Sequence, residues 1–279
     1  MLEALNRTVT VGLSETGLAV VLGQGLLRQR REVLQDKAFA LGVVPSAEAL
    51  GLQLSESLAG VNTKTRGGRL HVVLSDDLVR LFMVTPPGNL TRLDDCKAAA
   101  AMRFQVLYDA SPQGWHLQSD INPQRAFLCV AVSDTLRRTI MQVAEAQGLV
   151  LVQLAPVFVA AFNRWRHKLP AHAWFCVLHG NTLTLAVVSN RRITAVRSLS
   201  DDDALAHPQW LRQAVRREAL QSDLPLPECI YLCSDVPGPS RAAAPEPEHP
   251  RVVVLQAERP KSLTHPAAAS GLAEVLGWP

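Results

Sequence analysis

Thr8–Leu22 reads TVTVGLSETGLAVVL, and Phe175–Ser189 reads FCVLHGNTLTLAVVS. Each is an apolar run, a tight turn and a second apolar run, the signature of a β-hairpin. The turns, Ser14-Glu15-Thr16-Gly17 and Gly180-Asn181-Thr182, carry small or hydrogen-bonding residues suited to reversing the chain. One pattern used twice points to a duplicated architecture, and no other repeat accompanies it.

After the first hairpin, Leu26–Val33 reads as a third strand or a short basic extension. Leu50, Leu54 and Leu58 recur every four residues, which places them on one face of a helix over Ser46–Ala59. Ser46 suits its N-cap, with Glu48 in the first turn. Thr63–Arg69 reads as a polar loop. Strands follow at Arg69–Leu74 and Leu78–Val84, then a helix over Leu93–Tyr108 with a stripe of Leu93, Ala100, Phe104 and Leu107. Trp115–Ile121 and Ala126–Val132 read as strands, Asp134–Gln147 as a helix closed by Gly148, and Val150–Leu154 as a strand. A helix over Pro156–His167 leads back to the second hairpin. Beyond it come a strand at Arg191–Leu199 and a helix at Ala204–Gln221 facing Trp210, Leu211, Ala214, Val215 and Leu220 inward. A strand at Cys229–Cys233, a loop at Ser234–Ser240, a Pro-rich linker at Ala242–Pro250, a strand at Arg251–Leu255 and a helix at Pro266–Leu276 complete the chain. The expected fold is α/β and duplicated, with an α+β unit inserted in its first half. Residues 1–68 begin the first half, 69–155 form the inserted unit, and 156–279 hold the return helix and second half.

Composition narrows the function. With 48% hydrophobic and 19% charged residues, the 279-residue chain can bury a sizeable core. A net charge of +3 and the lack of aromatics among the basic residues argue against nucleic acid. The dense basic stretches, Arg28-Gln29-Arg30-Arg31 and Arg212–Arg217, read as solvated helix faces. No secretory signal follows Met1–Arg7, and the most apolar stretch, Leu149–Phe162, is too short to span a bilayer and contains Gln153 and Pro156. A cytoplasmic location is expected, with any membrane association arising through a partner rather than by insertion.

Few residues suggest catalysis. The five cysteines are odd in number and widely spaced, and Cys229 and Cys233 lie in a strand pattern without a second ligand pair, so they read as apolar core. The eight histidines are dispersed; His179, on the second hairpin, is the one of interest. Asp76-Asp77, Asp94-Asp95 and Asp201-Asp202-Asp203 stand at element starts, where capping and solvation account for them. Ser133 is not in a GxSxG elbow, and neither a Walker A loop nor a GxGxxG fingerprint is present.

The order of elements, and a series of local strings, resembles the actin-like (ribonuclease H-like) ATPase superfamily. The nearest resemblance is to the PilM-like type IV pilus assembly proteins and the cytoplasmic domain of the type II secretion protein GspL. The strings are Val11–Val21, Leu70–Arg80 (LHVVLSDDLVR), Ala99–Tyr108, Gln147–Pro156 (QGLVLVQLAP), the return helix with Asn163, Val177–Val188, Ile230–Gly238 and Pro266–Leu272 (PAAASGL). In that family each hairpin presents an acid, and a glycine pair opens the adenosine loop. Here Gly12 and Ser14 stand at the first position, Leu178 and Gly180 at the second, and Ser234-Asp235 replace the glycines. Without those acids a hydrated Mg²⁺ and an attacking water lose their anchors, and side chains crowd the base pocket. The resemblance thus implies a degenerate nucleotide site at Gly12, Ser14, Thr16, Leu178, Gly180, Asn181, Ser234 and Asp235, a pseudo-ATPase without catalytic residues, metal or cofactor. Ser14, Thr16, Asn181 and Thr182 are still placed to donate to a phosphate, which leaves a divergent nucleotide-binding ATPase or kinase relative as the alternative.

The resemblance also implies a scaffold of a pilus or type II secretion machine, peripheral at the inner membrane. Its partner would be the cytoplasmic tail of a PilN-like or GspL/GspM-like inner-membrane protein, with a secretion or pilus ATPase as a further neighbour and room for a homo-oligomer. In the family the tail lies in a groove between the inserted unit and the first half. The groove residues would be Leu78, Val79, Leu81, Met83, Ala99, Arg103 and Phe104.

Overall fold

Both quoted stretches are hairpins. In the first, β1 (Arg7–Leu13) and β2 (Gly17–Gln24) pair antiparallel, Val9 opposite Leu22 and Val11 opposite Val20. In the second, β9 (Ala173–His179) pairs with β10 (Thr182–Ser189). The computed structural model describes residues 7–24, 30–39, 46–65, 67–86, 88, 92–200, 208–234 and 249–255. Asp235, the linker residues 242–248 and the expected terminal helix at Pro266–Leu276 lie outside them, as do residues 25–29, 201–207 and 235–240.

Each hairpin seeds a five-stranded sheet of the same order and sense. The first combines β1 and β2 with β3 (Arg30–Ala38), β4 (Arg69–Leu74) and β8 (Val150–Pro156) in the order β3-β2-β1-β4-β8. The second adds β11 (Arg192–Ser200), β12 (Cys229–Ser234) and β13 (Arg251–Val254) in the order β11-β10-β9-β12-β13. In both, the hairpin and its outer strand are antiparallel, while the two further strands run parallel to the hairpin's first strand. The duplication is therefore one of topology.

The insertion is smaller than the sequence suggests. β4 and β8, expected inside it, hydrogen-bond into the first sheet instead, and α3 (Asp134–Ala146) packs on α1 (Ala47–Thr65). Continuous apolar runs such as LHVVL read the same in any buried parallel strand, so sequence alone does not say which sheet takes them. The independent layer consists of β5 (Val79–Val84), α2 (Leu93–Tyr108), β6 (Trp115–Ser119) and β7 (Phe127–Ser133), with an antiparallel sheet ordered β5-β7-β6.

Leu50, Leu54 and Leu58 are buried on one face of α1, and the Ser46 hydroxyl accepts the Ala49 N–H at 3.2 Å as the N-cap expected. α1 continues through the stretch read as the start of a polar loop, ending at Thr65. It approaches α3 closely: a Cβ at Gly51 would lie 2.5 Å from Thr139 Cγ2. Gly148, at φ 65°, ends α3, donating to Glu145 O at 2.9 Å. Arg30 and Arg31, expected on a helix, open β3. On α2 the buried stripe is Cys96, Ala100 and Phe104, whereas Leu93 and Leu107 are exposed. On α5 (Pro208–Gln221) Leu220 is 84% exposed and Ala219 is buried in its place.

α4 (Val157–Trp165) joins the halves. It packs against β4 and β8 of the first sheet and β9 of the second. Its fully buried Phe158 lies 5.9 Å from Phe175 of β9, ring centroid to ring centroid. A single apolar core runs from β1, β2 and β4 through α4 into β9 and β10. A second lies between β9, β10, β12 and α5, and a third fills the inserted layer.

Candidate functional site

β1 and β4 run side by side and end together, Ser75 N donating to Leu13 O at 2.8 Å. The chain therefore leaves β4 beside the first hairpin's turn. Asp76–Leu78 form one 3-10 turn there. Asp76 is only 4% exposed, and its Oδ1 accepts the Phe158 N–H at 3.2 Å. Pro156 precedes α4 and offers no side-chain cap, so a strand-end acid from far away in sequence caps this helix. The Thr184 hydroxyl of β10 also donates to Asp76, and His179 at the end of β9 adds its field. Burial outweighs these contacts and pushes the Asp76 carboxyl up to about 7. Asp77 is raised by burial too, while accepting backbone N–H groups of Glu15 and Leu78. Burial, then the charge of Asp77, pushes Glu15 up against the pull of Arg80.

The two hairpin turns thus meet across Asp76 and Asp77. The sequence reading of these acids as solvated caps is half right: Asp76 caps, but it caps another element and is buried.

Gly12 is buried in β1 between Ala19 and Val73, and Leu178 pairs with Leu183 and Ser234. Ser14 and Thr16 bond within their turn: Ser14 N donates to Gly17 O at 2.9 Å, and Thr16 N to Ser14 Oγ at 3.3 Å. Gly180, at φ 53°, makes the second turn possible, with Asn181 exposed beside it and Ser234 at the adjoining strand end. Thr182 is buried, 3.4 Å from Ser200 Oγ.

Neither β1 nor β9 brings a carboxylate to this junction: its acids come from the end of β4 and the first turn, and Asp76 is engaged in bonds that cross it. Arg80 donates to the Asp77 and Val79 carbonyls at 3.3 and 3.1 Å, its guanidinium 5.8 and 5.9 Å from the Tyr108 and Trp115 ring centroids. Among the described residues no group of three His, Cys, Asp or Glu is placed to hold a metal ion.

Beside the junction lies a cleft of about 700 Å³. It is lined by β5, the edge strand of the inserted sheet, with Arg103, Leu107 and Tyr108 of α2, and by β11, the edge strand of the second sheet, which packs along β5. Glu15, Asp76 and Asp77 close one end. Two carbonyls of β5 accept side-chain bonds from within the inserted layer: Val79 O from Arg80 and Leu81 O from the Tyr108 hydroxyl at 3.3 Å. Across the cleft Arg197 pairs with Glu218 at 3.1 Å, and Ser222 donates to the same carboxylate at 3.0 Å.

Of the expected groove residues, Val79, Leu81, Met83 and Arg103 line this cleft. Phe104 does not: it is the centre of the inserted core, against Phe82, Tyr108 and Trp115, with Ala99 packed beside it. Leu78 packs on the core shared by the two halves. The strand packed along β5 here is β11 of the second half, and Glu15, Asp76 and Asp77 are the first half's share of the lining. Sequence reasoning missed Arg80, Tyr108, Arg197 and Glu218, because nothing in their spacing brings β5 opposite β11.

Two sheets of identical order, joined by one buried helix with the hairpin turns facing each other, decide the architecture. The chain has an actin-like ATPase fold. No protein-family model matches it, and no curated protein matches it in sequence. Solved structures do. The cytoplasmic domain of EpsL, an inner-membrane component of the type II secretion system of Vibrio cholerae, aligns over 97% of this chain and 94% of its own, with a TM-score of 0.57 and 14% identity. A Bacteroides thetaiotaomicron protein of unknown function with an actin-like ATPase fold aligns over 91% and 92%, with a TM-score of 0.55 and 8% identity. A chain of the PilM–PilN type IV pilus biogenesis complex aligns over 84% and 81%, with a TM-score of 0.55 and 16% identity. At such identities the similarity is one of fold. Among the described residues of this actin-like chain no helix is long and apolar enough to cross a membrane.

Proposed function

We propose that this actin-like protein is an adaptor of a type IV pilus or type II secretion-like assembly. In this reading it holds the cytoplasmic tail of an inner-membrane protein and does not hydrolyse ATP. The observation that carries the reading is the cleft over the seam of two sheet edges, lined by Leu81 and Met83 on β5 and Val196 on β11. A segment laid along such a site needs apolar positions to take its alternate side chains. The EpsL and PilM–PilN similarities supply the kind of machine. The residues at the hairpin junction support the absence of hydrolysis, since neither Gly12 nor Leu178 brings a carboxylate to a metal.

The test is calorimetry with a synthetic peptide of the N-terminal tail of a PilN-like protein from the same organism. Saturable binding to the wild type, lost on Met83→Arg with the fold intact, is the expected result. A well-folded wild-type protein that binds no such tail would sink the reading.

A further inference from the structure

Between Glu145 and Asp201 the chain has no acidic residue, yet it carries Arg164, Arg166, Lys168, Arg191, Arg192 and Arg197. Arg197 pairs with Glu218. The other five gather at one end of the second half. α4 ends at Trp165 and β9 begins at Ala173, so Arg166 and Lys168 lie on the link between them, both exposed. The turn from β10 to β11 is pinned beside that link: Arg191 N donates to Ala171 O at 2.9 Å, and Ser189 Oγ lies 3.2 Å from His172 Nδ1. Arg164 and Lys168 stand 5.5 and 4.8 Å from the Trp165 ring centroid. Among the described residues no carboxylate is within ion-pair distance of Arg166, Lys168, Arg191 or Arg192. We propose that this cationic end docks on the anionic surface of a lipid bilayer, without insertion.

Part of this charge has a local explanation. Cations in and after the last turn of α4 oppose the negative end of its dipole, which accounts for Arg164, Arg166 and Lys168. It does not account for the turn. Ser189 pairs with Arg192, so Asn190 and Arg191 are the whole loop, at φ 50° and 62°. Both are left-handed, as a type I′ turn requires, and glycine takes its second place at least cost. An arginine holds that place instead, and a second arginine follows it. The register sets Glu228 at the same end, just ahead of β12, but Arg251 of β13 stands beside it. The choice of a membrane as the anionic partner rests on the reading of the protein as an adaptor for a membrane protein's tail. The cleft supports that choice. Glu15, Asp76 and Asp77 close one end, and the lining runs along β5 to Met83 and along β11 back to Thr194, two residues from Arg192. A chain arriving from a bilayer at the cationic turn would meet the other end of the cleft first.

Flotation of the full chain with vesicles, and no peptide present, tests this. Vesicles of phosphatidylcholine mixed with phosphatidylglycerol should carry the wild type at low salt, and vesicles of phosphatidylcholine alone should not. Raising the ionic strength should release it, because the charges are exposed. Arg191→Gly should lower partitioning about fivefold, and Arg191→Gly with Arg192→Gln about twenty-five-fold, from the usual contribution of one arginine near an anionic surface. Arg191→Gly suits the left-handed turn and should melt no lower than the wild type, so its loss of binding cannot come from a loss of fold. Arg166→Gln with Lys168→Gln, away from the turn, should lower partitioning by a similar factor to the double turn variant. Equal binding to both kinds of vesicle, wild-type binding by the arginine variants, or capture by polyglutamate with no vesicle binding would overturn the proposal. The calorimetry with the tail is a separate measurement. A chain that binds the tail but no vesicle refutes the bilayer contact alone, and one that binds vesicles but no tail refutes the adaptor reading alone.

Discussion

Asp76 Oδ1 lies 3.2 Å from the backbone nitrogen of Phe158, a residue 82 positions further along the chain. The pair ties the end of a strand in one half to the start of the helix that leads to the other. A helix whose N-cap is Pro156 has no capping oxygen of its own, so removing Asp76 leaves a buried donor without an acceptor. Asp76→Ala should destabilise the protein by about 1–3 kcal/mol in urea unfolding at neutral pH.

The same carboxyl gives stability a pH slope of unusual sign. Held at about 7 in the folded chain and free in the unfolded one, it makes the folded state the better proton binder. Its contribution is complete below the unfolded aspartate value and is lost as pH rises to about 7. Comparing urea midpoints at pH 5 and pH 7.5, the wild type should lose more stability than Asp76→Asn. Equal losses would mean that other groups set the slope.

Phe158 and Phe175 are fully buried on either side of the junction. Phe158→Ala opens a cavity bounded by both sheets, and a cost of about 3–5 kcal/mol is expected, read as a shift in urea midpoint at constant slope.

Tyr108→Phe removes the hydroxyl from the Leu81 carbonyl while keeping the ring against Phe82 and Phe104. The loss of stability should be small, about 0.5–1.5 kcal/mol. If an extended tail bonds to β5, this variant frees the Leu81 carbonyl and should bind the tail at least as well as the wild type in calorimetry.

Cys96, Cys129, Cys176 and Cys233 are buried, and burial pushes the Cys129 and Cys176 thiols up to about 12. Cys229 alone is partly exposed, its sulfur 3.5 Å from the Arg251 guanidinium. A thiol reagent applied to the native protein at pH 8 should modify Cys229 first, with the other four reacting only on unfolding. Rapid loss of Cys176 would contradict its placement in the core.

The hairpins were legible because strand-turn-strand is written within fifteen consecutive residues, and the α1 face because Leu50, Leu54 and Leu58 repeat at helical spacing. What sequence could not assign was pairing between distant strands. LHVVL and VLVQLAP look alike in any parallel sheet, and only the register, Val72 beside both Val11 and Leu154, shows them continuing the first sheet. The apolar stripe on α2 was misread at its ends, because Leu107 belongs to the cleft and Cys96 to the core. At the site, the residues lost to sequence reading were those whose role depends on a partner far away: Asp76 on Phe158, Arg80 on the Tyr108 and Trp115 rings, and Glu218 on Arg197.

The one apolar core shared by both halves has a consequence for how the chain comes apart. Because α4 contributes Phe158, Ala161 and Trp165 to a cluster that also holds Val11 and Val177, neither half keeps a complete interior once the other is gone. The two should melt as one cooperative unit. The inserted layer has its own interior around Phe82, Phe104 and Phe127, but the other face of its sheet gives Val79, Leu81 and Val132 to the shared cluster, and β5 packs along β11. Opening that layer would uncover the common interior as well, so it should come apart with the body rather than ahead of it.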